Sequence, residues 1–351
     1  MNAMINNNIF FHATKELTTD AFLIWLFYFL DSTPELEASK QLVFDSLILR
    51  PEDKGRLISD ISIDRQKSGQ NGRIDFMVTF TFNDSCEKQS VLFEDKTLTT
   101  TTNKQLTGYK TDYPSCYRYI YCKLGYINTA EARQVTSCGY DIISSRLLSD
   151  TLSRIADKHV IIRDYLEYIK KTYADYIDSF ETRLFVNKDF DILWDGQAQL
   201  FLADKLFETL PDSLREIMYI YNGTSSGRPW TQICVVEETP IMDGYNESIF
   251  WRMDIRSGKF YIRLNQYGAY KDQDGSIYKE KSKRLSHLRV IADQLLAKGY
   301  HLKKGKPTDK GSFEQEIVIF FLPDNDWPTI FEEFSRFTEE FREEYQKTLC
   351  G

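Results

Sequence analysis

Residues 73–97 read RIDFMVTFTFNDSCEKQSVLFEDKT, and this stretch decides how the N-terminal half of the chain is interpreted. Residues 73–82 and 90–97 are rich in β-branched and aromatic side chains, which predicts two strands. Asn83, Asp84 and Ser85 lie between them and are typical of a turn. The stretch therefore predicts a β-hairpin whose strands are largely apolar.

Three charged residues stand out in this hairpin: Asp75 early in the first strand, and Glu94 and Lys96 at the end of the second. Residues two apart in a strand share one face, so Glu94 and Lys96 point the same way and Asp95 points to the other face. If the turn centres near Ser85, a register offset of one places Asp75 beside Glu94, with Cβ atoms about 4.5–5.5 Å apart. The hairpin therefore predicts two carboxylates and one ammonium group together.

Two carboxylates this close repel each other unless a cation lies between them. Mg²⁺ typically takes one or two protein carboxylates and completes its shell with substrate and water, so Mg²⁺ or Mn²⁺ is the expected cofactor. The backbone carbonyl of Asp95 is a candidate third ligand, and Lys96 is placed to position or deprotonate an attacking water. The alternative is an ordinary surface hairpin with charged cross-strand pairs, because so short a pattern often occurs without a function.

The sequence around the hairpin predicts further elements of an α/β domain that ends near residue 180. Residues 18–30 form an almost entirely apolar run, which predicts a helix buried on several sides. Strands are expected over 61–66 and 117–126, and helices over 103–113, 144–155 and 160–177. The stripe of Tyr117, Tyr119 and Tyr121 suits packing against a helix, with stacking on unpaired bases as the alternative.

Ile74-Asp75 followed by Glu94-Asp95-Lys96 resembles the motif of the PD-(D/E)XK nuclease superfamily, with Ile74 in place of the proline. Gln105 and Tyr109, four residues apart and so on one helix face, resemble the Q-x-x-x-Y motif of its exonuclease-like branch. The resemblance covers roughly residues 15–177. It implies a restriction-endonuclease-like core, in which a helix, a three-stranded antiparallel meander, a helix and a strand follow one another.

The resemblance also implies roles for individual residues. Those expected to catalyse or to support catalysis are Asp75, Glu94, Lys96, Gln105 and Tyr109. Glu16, followed by the run Phe22-Leu-Ile-Trp-Leu26, resembles the first helix of an uncharacterised bacterial branch, in which an acidic residue adds a metal ligand. Two alternatives remain for Glu16: a favourable interaction with the helix dipole, or replacement by Asp20 as the ligand.

Residues 181–351 predict a second, α+β unit with a mostly antiparallel sheet. Strands are expected over 219–221, 232–236, 250–255, 260–265 and 316–322, and helices over 287–298 and 327–348. The glycine-flanked segment 223–227 lacks the ending of a phosphate-binding loop and is predicted to be a hairpin turn. The expected domains are therefore 1–180, nuclease-like, and 181–351, for binding nucleic acid or a partner.

Charge is unevenly distributed along a chain whose formal net charge is −8. Residues 252–310 contain fifteen Lys or Arg against six Asp or Glu, whereas residues 311–351 contain three against ten. A local excess of positive charge favours phosphate contacts, although most charge runs are solvated surface. The residues expected to contact nucleic acid are Lys281, Lys283, Arg284, Lys303 and Lys304.

Composition argues against several other classes of protein. The six cysteines form no C-x-x-C pair and the four histidines no H-E-x-x-H, which argues against a zinc ribbon or a zinc hydrolase. No secretory signal is visible at the N-terminus, and the longest apolar run, residues 21–30, is about half the length that a bilayer span needs. The expected location is the cytoplasm.

Together these features predict a Mg²⁺-dependent nuclease that hydrolyses phosphodiester bonds, of DNA rather than RNA, in defence or DNA processing. Two alternatives belong to other classes. One is a nuclease-like binding or scaffolding module without catalysis. The other is a regulatory protein that binds a partner through its acidic last helix. The sequence leaves the oligomeric state open.

Overall fold

The computed structural model describes residues 8–11, 15–256, 258–268, 275–306, 314–320 and 326–349, without the side chains of 15–17. The chain divides into two compact units. The first comprises residues 1–127 and 131–179, and the second comprises residues 128–130 and 180–351. The assignment of a nuclease-like role to one region and a binding role to the other stays a prediction.

The first unit contains one five-stranded sheet between two groups of helices. Its strands are β1 (Ile58–Arg65), β2 (Phe76–Phe82), β3 (Lys88–Lys96), β4 (Arg118–Lys123) and β5 (Asp141–Ser144). Its helices are α1 (Lys15–Asp31), α2 (Glu37–Leu47), α3 (Asn103–Asp112), α4 (Thr129–Ser137), α5 (Ser145–Ser153), α6 (Val160–Ile169) and α7 (Asp175–Asp178). Three 3₁₀ helices (Ile9–Phe11, Pro34–Leu36 and Pro51–Asp53) and one π-helix (Lys170–Ala174) complete the unit.

The strands follow the order β1-β2-β3-β4-β5, with the first three antiparallel and the last two parallel to β3. A short turn joins β2 to β3, which allows antiparallel pairing, whereas the parallel step from β3 to β4 passes through α3. The α/β class of this region is therefore confirmed. Sequence reasoning missed α4 and β5, because nine and four residues give too little periodic signal.

The two faces of the sheet bury different side chains. On one face Phe93 and Cys122 pack with Phe27 of α1. On the other face Leu92 and Tyr121 pack with residues of α3 and α4, in a smaller core. The expected burial of α1 on several sides is confirmed, since its side chains Phe22, Leu23, Leu26, Phe27 and Leu30 are all buried.

The predicted tyrosine stripe is divided between the two cores. Tyr119 and Tyr121 are buried in the smaller core, beside α3 and α4. Tyr117 precedes β4 and packs against Phe80 and Phe82 in the larger core. Packing is therefore the confirmed interpretation, because all three rings are buried and none presents a face to an unpaired base.

The second unit contains a six-stranded antiparallel sheet with the order β10-β11-β9-β8-β7-β6. Its strands are β6 (Ile220–Ser225), β7 (Arg228–Met242), β8 (Tyr245–Arg256), β9 (Lys259–Tyr267), β10 (Lys303–Lys304) and β11 (Glu314–Phe320). Its helices are α8 (Gly196–Glu208), α9 (Asp212–Arg215), α10 (Ser276–Leu296) and α11 (Trp327–Lys347), with a π-helix (Thr182–Val186) and a 3₁₀ helix (Phe190–Trp194) before them. The predicted antiparallel α+β character is confirmed.

Several details of the second unit follow from its sequence. Residues 226 and 227 form the turn between β6 and β7, so segment 223–227 belongs to a hairpin as predicted. The core packs α11 on the sheet, where the indole N–H of Trp251 donates to Thr338 at 2.8 Å. The end of the strand expected over 316–322 lies outside the described residues. No helix in the described part of the chain is long and apolar enough to cross a membrane.

Candidate metal-binding and catalytic site

Asp75 and Glu94 lie across from each other at one end of the β2–β3 pair. Phe76 pairs with Phe93. Asp75, the residue before Phe76, therefore lies opposite Glu94, the residue after Phe93, on the same face of the sheet. Asp75 itself stands just before β2, and its Oδ2 accepts a hydrogen bond from the backbone N–H of Asp95 at 2.7 Å. The structure therefore brings the two predicted carboxylates together.

The carboxylate of Glu94 is 1% exposed, and its two oxygens differ in their partners. Oε1 accepts from the ammonium group of Lys96 and from the side-chain amide of Gln105 at 2.7 Å. For Oε2, no residue that the structure describes provides a donor. Burial, and then the charge of Asp75, raise the pKa of Glu94 to about 7. Glu94 is therefore a buried acid that needs a cation or a proton.

Lys96 lies at the end of β3 and contacts Glu94 directly, with its side chain 18% exposed. Burial acts to lower the pKa of Lys96, but the charge and hydrogen bond of Glu94 and the charge of Asp75 outweigh it. The pKa of Lys96 is therefore raised, and the side chain remains an ammonium group at neutral pH. In this state it can donate hydrogen bonds and supply positive charge, but it cannot accept a proton.

Gln105 and Tyr109 occupy the first two turns of α3, whose N-cap is Thr102. The amide nitrogen of Gln105 donates to Glu94 and also to the hydroxyl of Tyr109 at 2.9 Å. That hydroxyl donates to the backbone carbonyl of Arg73, two residues before Asp75, at 2.9 Å. The helix thus connects Glu94 of β3 to the backbone just before Asp75, through two side chains that share one helix face, as their spacing predicted.

The backbone at Gly72 is shaped to accommodate Tyr109. Gly72 has a φ of 141°, a conformation that residues with a Cβ rarely adopt, and an added Cβ would lie 3.1 Å from the tyrosine ring. A side chain here would push the ring away from its hydrogen bond to Arg73. The glycine therefore belongs to the support of the site, although sequence reasoning did not select it.

Asp95 points to the opposite face of the sheet, as predicted. Burial, and then the charges of Asp20 and Asp75, raise its pKa well above the usual range, and the thiol of Cys122 lies within hydrogen-bonding reach. The backbone carbonyl of Asp95 points in a different direction from its side chain. The carbonyl of Lys96 accepts from Leu124 on the β4 side, so the preceding carbonyl, that of Asp95, points to the Asp75 side.

Helix α1 carries the two other acids that the sequence offered as metal ligands, Glu16 and Asp20. Glu16 lies in the first turn of the helix, but its side chain is outside the described part of the structure. Asp20 is buried, and its charge acts on Asp95 and Cys122 rather than appearing among the main influences on Glu94. Asp20 therefore lies on the side of the sheet opposite Glu94, which does not favour it as a replacement ligand.

The residues present fit a magnesium ion better than a zinc ion. No group of three His, Cys, Asp or Glu side chains within the described ranges is arranged to hold a metal. Mg²⁺ needs fewer protein ligands, because water and substrate oxygens complete its octahedron. The buried oxygen Oε2 of Glu94 and the facing carboxylate of Asp75 match that requirement.

A fully buried lysine, Lys123, lies next to this group and was missed by sequence reasoning. Lys123 at the end of β4 pairs in register with Lys96 at the end of β3, so both point to the same face. Its Nζ contacts Glu131 of α4 at 3.0 Å, and both side chains are buried. The one available signal was that both parallel strands end in lysine after an apolar run.

The basic residues of the second unit do not form the expected common surface. Lys281 and Arg284 are buried, and Arg284 donates to Oε2 of Glu247 through two N–H groups at 2.8 and 3.2 Å. Their expected exposure was wrong, because both lie on the face of α10 that carries Leu288 into the core. Lys283, Lys303 and Lys304 are exposed, although Lys304 pairs with Asp293 at 2.8 Å.

Comparisons with known proteins leave the family open. No family model matches the chain, and no curated protein matches its sequence. One solved structure to which the chain is similar is that of the MspJI restriction endonuclease in complex with a 27-mer oligonucleotide, at 14% identity and a TM-score of 0.26. The match covers 49% of this chain and 40% of that one, so the chain spans less than half of its length. A TM-score this low does not assign a fold.

Proposed function

We propose that the protein is a metal-dependent nuclease that hydrolyses phosphodiester bonds, with Mg²⁺ held by Asp75 and Glu94. One observation carries the proposal: the carboxylate of Glu94 is buried, faces that of Asp75, and shares its other oxygen with Lys96. Burying one acid against a second, half-buried one is costly unless a cation compensates them. The PD-(D/E)XK motif that these residues resemble is consistent with that chemistry.

When bound there, Mg²⁺ supplies positive charge that polarises a phosphoryl group and makes a water molecule easier to deprotonate. The chain's own residues hold and orient the reactants. Asp75 and Glu94 would hold the ion, with the Asp95 carbonyl as a third ligand. Gln105 fixes the Glu94 carboxylate by donating to its Oε1, and Tyr109 fixes Gln105 in turn.

Lys96 acts in this proposal as a donor of hydrogen bonds and positive charge. Its raised pKa keeps it protonated, so it orients the attacking water and stabilises the charge that develops on the phosphate. Of the two roles expected for Lys96, positioning is therefore favoured over deprotonation.

DNA is the proposed substrate, and a restriction-endonuclease-like core is the proposed fold of the first unit. The observed sequence of α1, the β1–β3 meander, α3 and β4 supports that core. Exposed lysines of the second unit, Lys283 and Lys303 among them, are the proposed contacts for phosphates. DNA processing or defence is the proposed role.

The test is cleavage of single-stranded and duplex DNA and RNA with Mg²⁺, Mn²⁺ or EDTA. We expect cleavage of DNA with either metal and none with EDTA. Glu94→Gln should abolish cleavage, while Glu87→Gln, an exposed acid near the other end of the same hairpin, should leave it unchanged. A wild-type protein that neither cleaves nor binds Mn²⁺ would favour the inactive binding module instead.

A further inference from the structure

The side chain of Lys123 joins α4 to the segment between β3 and α3, which comprises residues 97–102. Its Nζ donates to the carbonyl of Thr99 at 2.5 Å and to Glu131 at 3.0 Å. Tyr121 donates to the same oxygen of Glu131 at 2.7 Å. Lys123 is 0% exposed, so it cannot reach a substrate. A buried ion pair seldom adds stability over an apolar pair, which leaves its role unexplained by folding alone.

A second contact from α4 reaches the same segment. The side-chain amide of Gln134 donates to the carbonyl of Thr101 at 3.3 Å. Thr101 in turn donates through its hydroxyl to Oε1 of Gln105 at 3.1 Å, and the next residue, Thr102, caps α3 by accepting from the backbone N–H of Gln105. The segment held by Lys123 and Gln134 is therefore also the one that holds Gln105.

The hydrogen bond from Thr101 acts together with those to Glu94 and Tyr109 to set which way the amide of Gln105 points. An amide has one accepting and one donating end. With its oxygen bound to Thr101, its nitrogen faces Oε1 of Glu94 and the hydroxyl of Tyr109. The reversed amide would place an oxygen against a carboxylate and break both bonds. Residues 99–102 therefore hold the oxygen end of this amide, while Glu94 and Tyr109 bind its nitrogen end.

We propose that the Lys123–Glu131 pair positions Gln105, and through it the metal-binding carboxylate of Glu94. This inference rests on the proposed nuclease function. Lys123 and Glu131 are positioning residues that act through the carbonyl of Thr99 and the hydroxyl of Thr101, without contact with substrate or metal. The charge pair fixes the 97–102 segment in one place, which a pair of apolar side chains would not do, because apolar contacts lack direction.

The double variant Lys123→Met/Glu131→Gln tests this proposal, since it removes both charges together and leaves neither one buried alone. We expect kcat to fall by no more than the about tenfold loss expected on removing Gln105 itself, the low end for residues that orient a metal ligand, with KM little changed. In a Gln105→Ala background the same double variant should cause no further decrease. Such non-additivity distinguishes positioning through Gln105 from a general disruption of structure.

Two variants act as controls. Asp141→Asn breaks the Arg118–Asp141 pair at the other end of β4, where the atoms are 2.7 Å apart, and should leave kcat unchanged. Gln134→Ala removes the second contact of α4 from a half-buried position and should reduce kcat in the same direction. The Gln134→Ala variant keeps the proposal testable if Lys123→Met/Glu131→Gln does not fold.

A measurement independent of cleavage follows the amide of Gln105 itself. Its side-chain NH₂ resonances in the ¹⁵N-labelled full-length protein can be assigned from their disappearance in Gln105→Ala. We expect slow exchange with solvent in the wild type and fast exchange in Lys123→Met/Glu131→Gln. Additive decreases of kcat, or an unchanged Gln105 signal, would overturn the proposal. An altered signal in a protein that cleaves nothing would leave this positioning intact and reject the nuclease function.

Discussion

Two buried glutamates, Glu94 in the first unit and Glu247 in the second, differ in how completely their oxygens are hydrogen-bonded. Glu247 is 0% exposed, and both of its oxygens have donors. Its Oε1 accepts from Tyr245 at 3.1 Å and from Gln266 at 2.7 Å, while Oε2 accepts two bonds from Arg284. The charge of Glu247 is thus compensated within the protein.

Glu94 is buried to the same degree, but Lys96 and Gln105 both donate to the same oxygen, Oε1. Its neighbour across the strand pair is another acid, Asp75, and its Oε2 has no donor in the described part of the chain. A buried carboxylate with every bond made contributes to a unique fold, whereas one left incomplete is costly unless something else binds there. The difference separates a structural cluster from a candidate site.

The largest expected effect is the loss of catalysis when Lys96, the cation beside Glu94, is replaced. Lys96→Met should reduce kcat about 10²- to 10³-fold, because the ammonium group orients water and stabilises charge at the phosphate. Stability should change little, because the raised pKa of Glu94 allows it to bind a proton in place of the missing partner. Steady-state cleavage and urea unfolding of the same preparation measure the two effects. Full activity in this variant would remove Lys96 from the site.

At Arg284, the cation beside Glu247, we expect a large loss of stability and little change in catalysis. Arg284→Met should lower the free energy of unfolding by about 3–5 kcal/mol, because it leaves Glu247 buried without its charged partner. Cleavage per folded molecule should stay close to that of the wild type. If Arg284→Met instead reduced activity without reducing stability, the two clusters would have been assigned the wrong way round.

The pH dependence of stability should reveal the raised pKa of Glu94. The folded-state pKa of Glu94 is raised to about 7 from the ordinary 4.5, so between these values the folded chain holds a proton that the unfolded chain has released. Stability from this residue is therefore full below pH 4.5 and falls as the pH rises to about 7. Glu94→Gln should flatten that fall in thermal melts at about pH 5–8.

Mg²⁺ should counteract the same fall in stability, because metal binding requires the ionised carboxylate. The increase in Tm caused by Mg²⁺ should therefore grow between about pH 5.5 and pH 8 in the wild type. Glu94→Gln should show no such growth. A Tm increase that is equal at all pH values would place the ion elsewhere.

A smaller effect is expected from the amides beside the two glutamates. Gln105→Ala should reduce kcat about tenfold, the low end for a residue that orients a ligand, since Lys96 still contacts Glu94. Gln266→Ala, which removes the matching donor from Glu247, should affect stability and leave kcat unchanged. Measuring kcat for both variants at saturating Mg²⁺ separates the two roles.

The smallest effect concerns exposed and buried lysines of the second unit. Replacing Lys283 and Lys303 by Ala should weaken DNA binding and flatten the log–log salt dependence of its affinity, by about 0.9 in slope per phosphate that is no longer bound. Lys281→Met should leave the slope unchanged, because Lys281 is buried. Binding of the Glu94→Gln protein at several salt concentrations measures this. Equal slopes for all variants would show that the exposed lysines do not bind phosphates.

The sequence by itself determined the hairpin and the meeting of Asp75, Glu94 and Lys96. Strand alternation and turn chemistry are local properties, so counting back from the turn near Ser85 is enough to bring these side chains to one face. The helix that carries Gln105 and Tyr109 was equally accessible, because four residues make about one helical turn.

Only the tertiary structure decided which charged residues are buried, and beside what. The pairing of Lys123 with Glu131 depends on a parallel strand register and on the placement of α4, neither of which is written in local periodicity. The burial of Lys281 and Arg284 depends on which face of α10 meets the sheet. Burial is a property of the packed neighbours of a side chain, and so a basic residue such as Arg284 looks the same in sequence whether it binds phosphate or a buried glutamate.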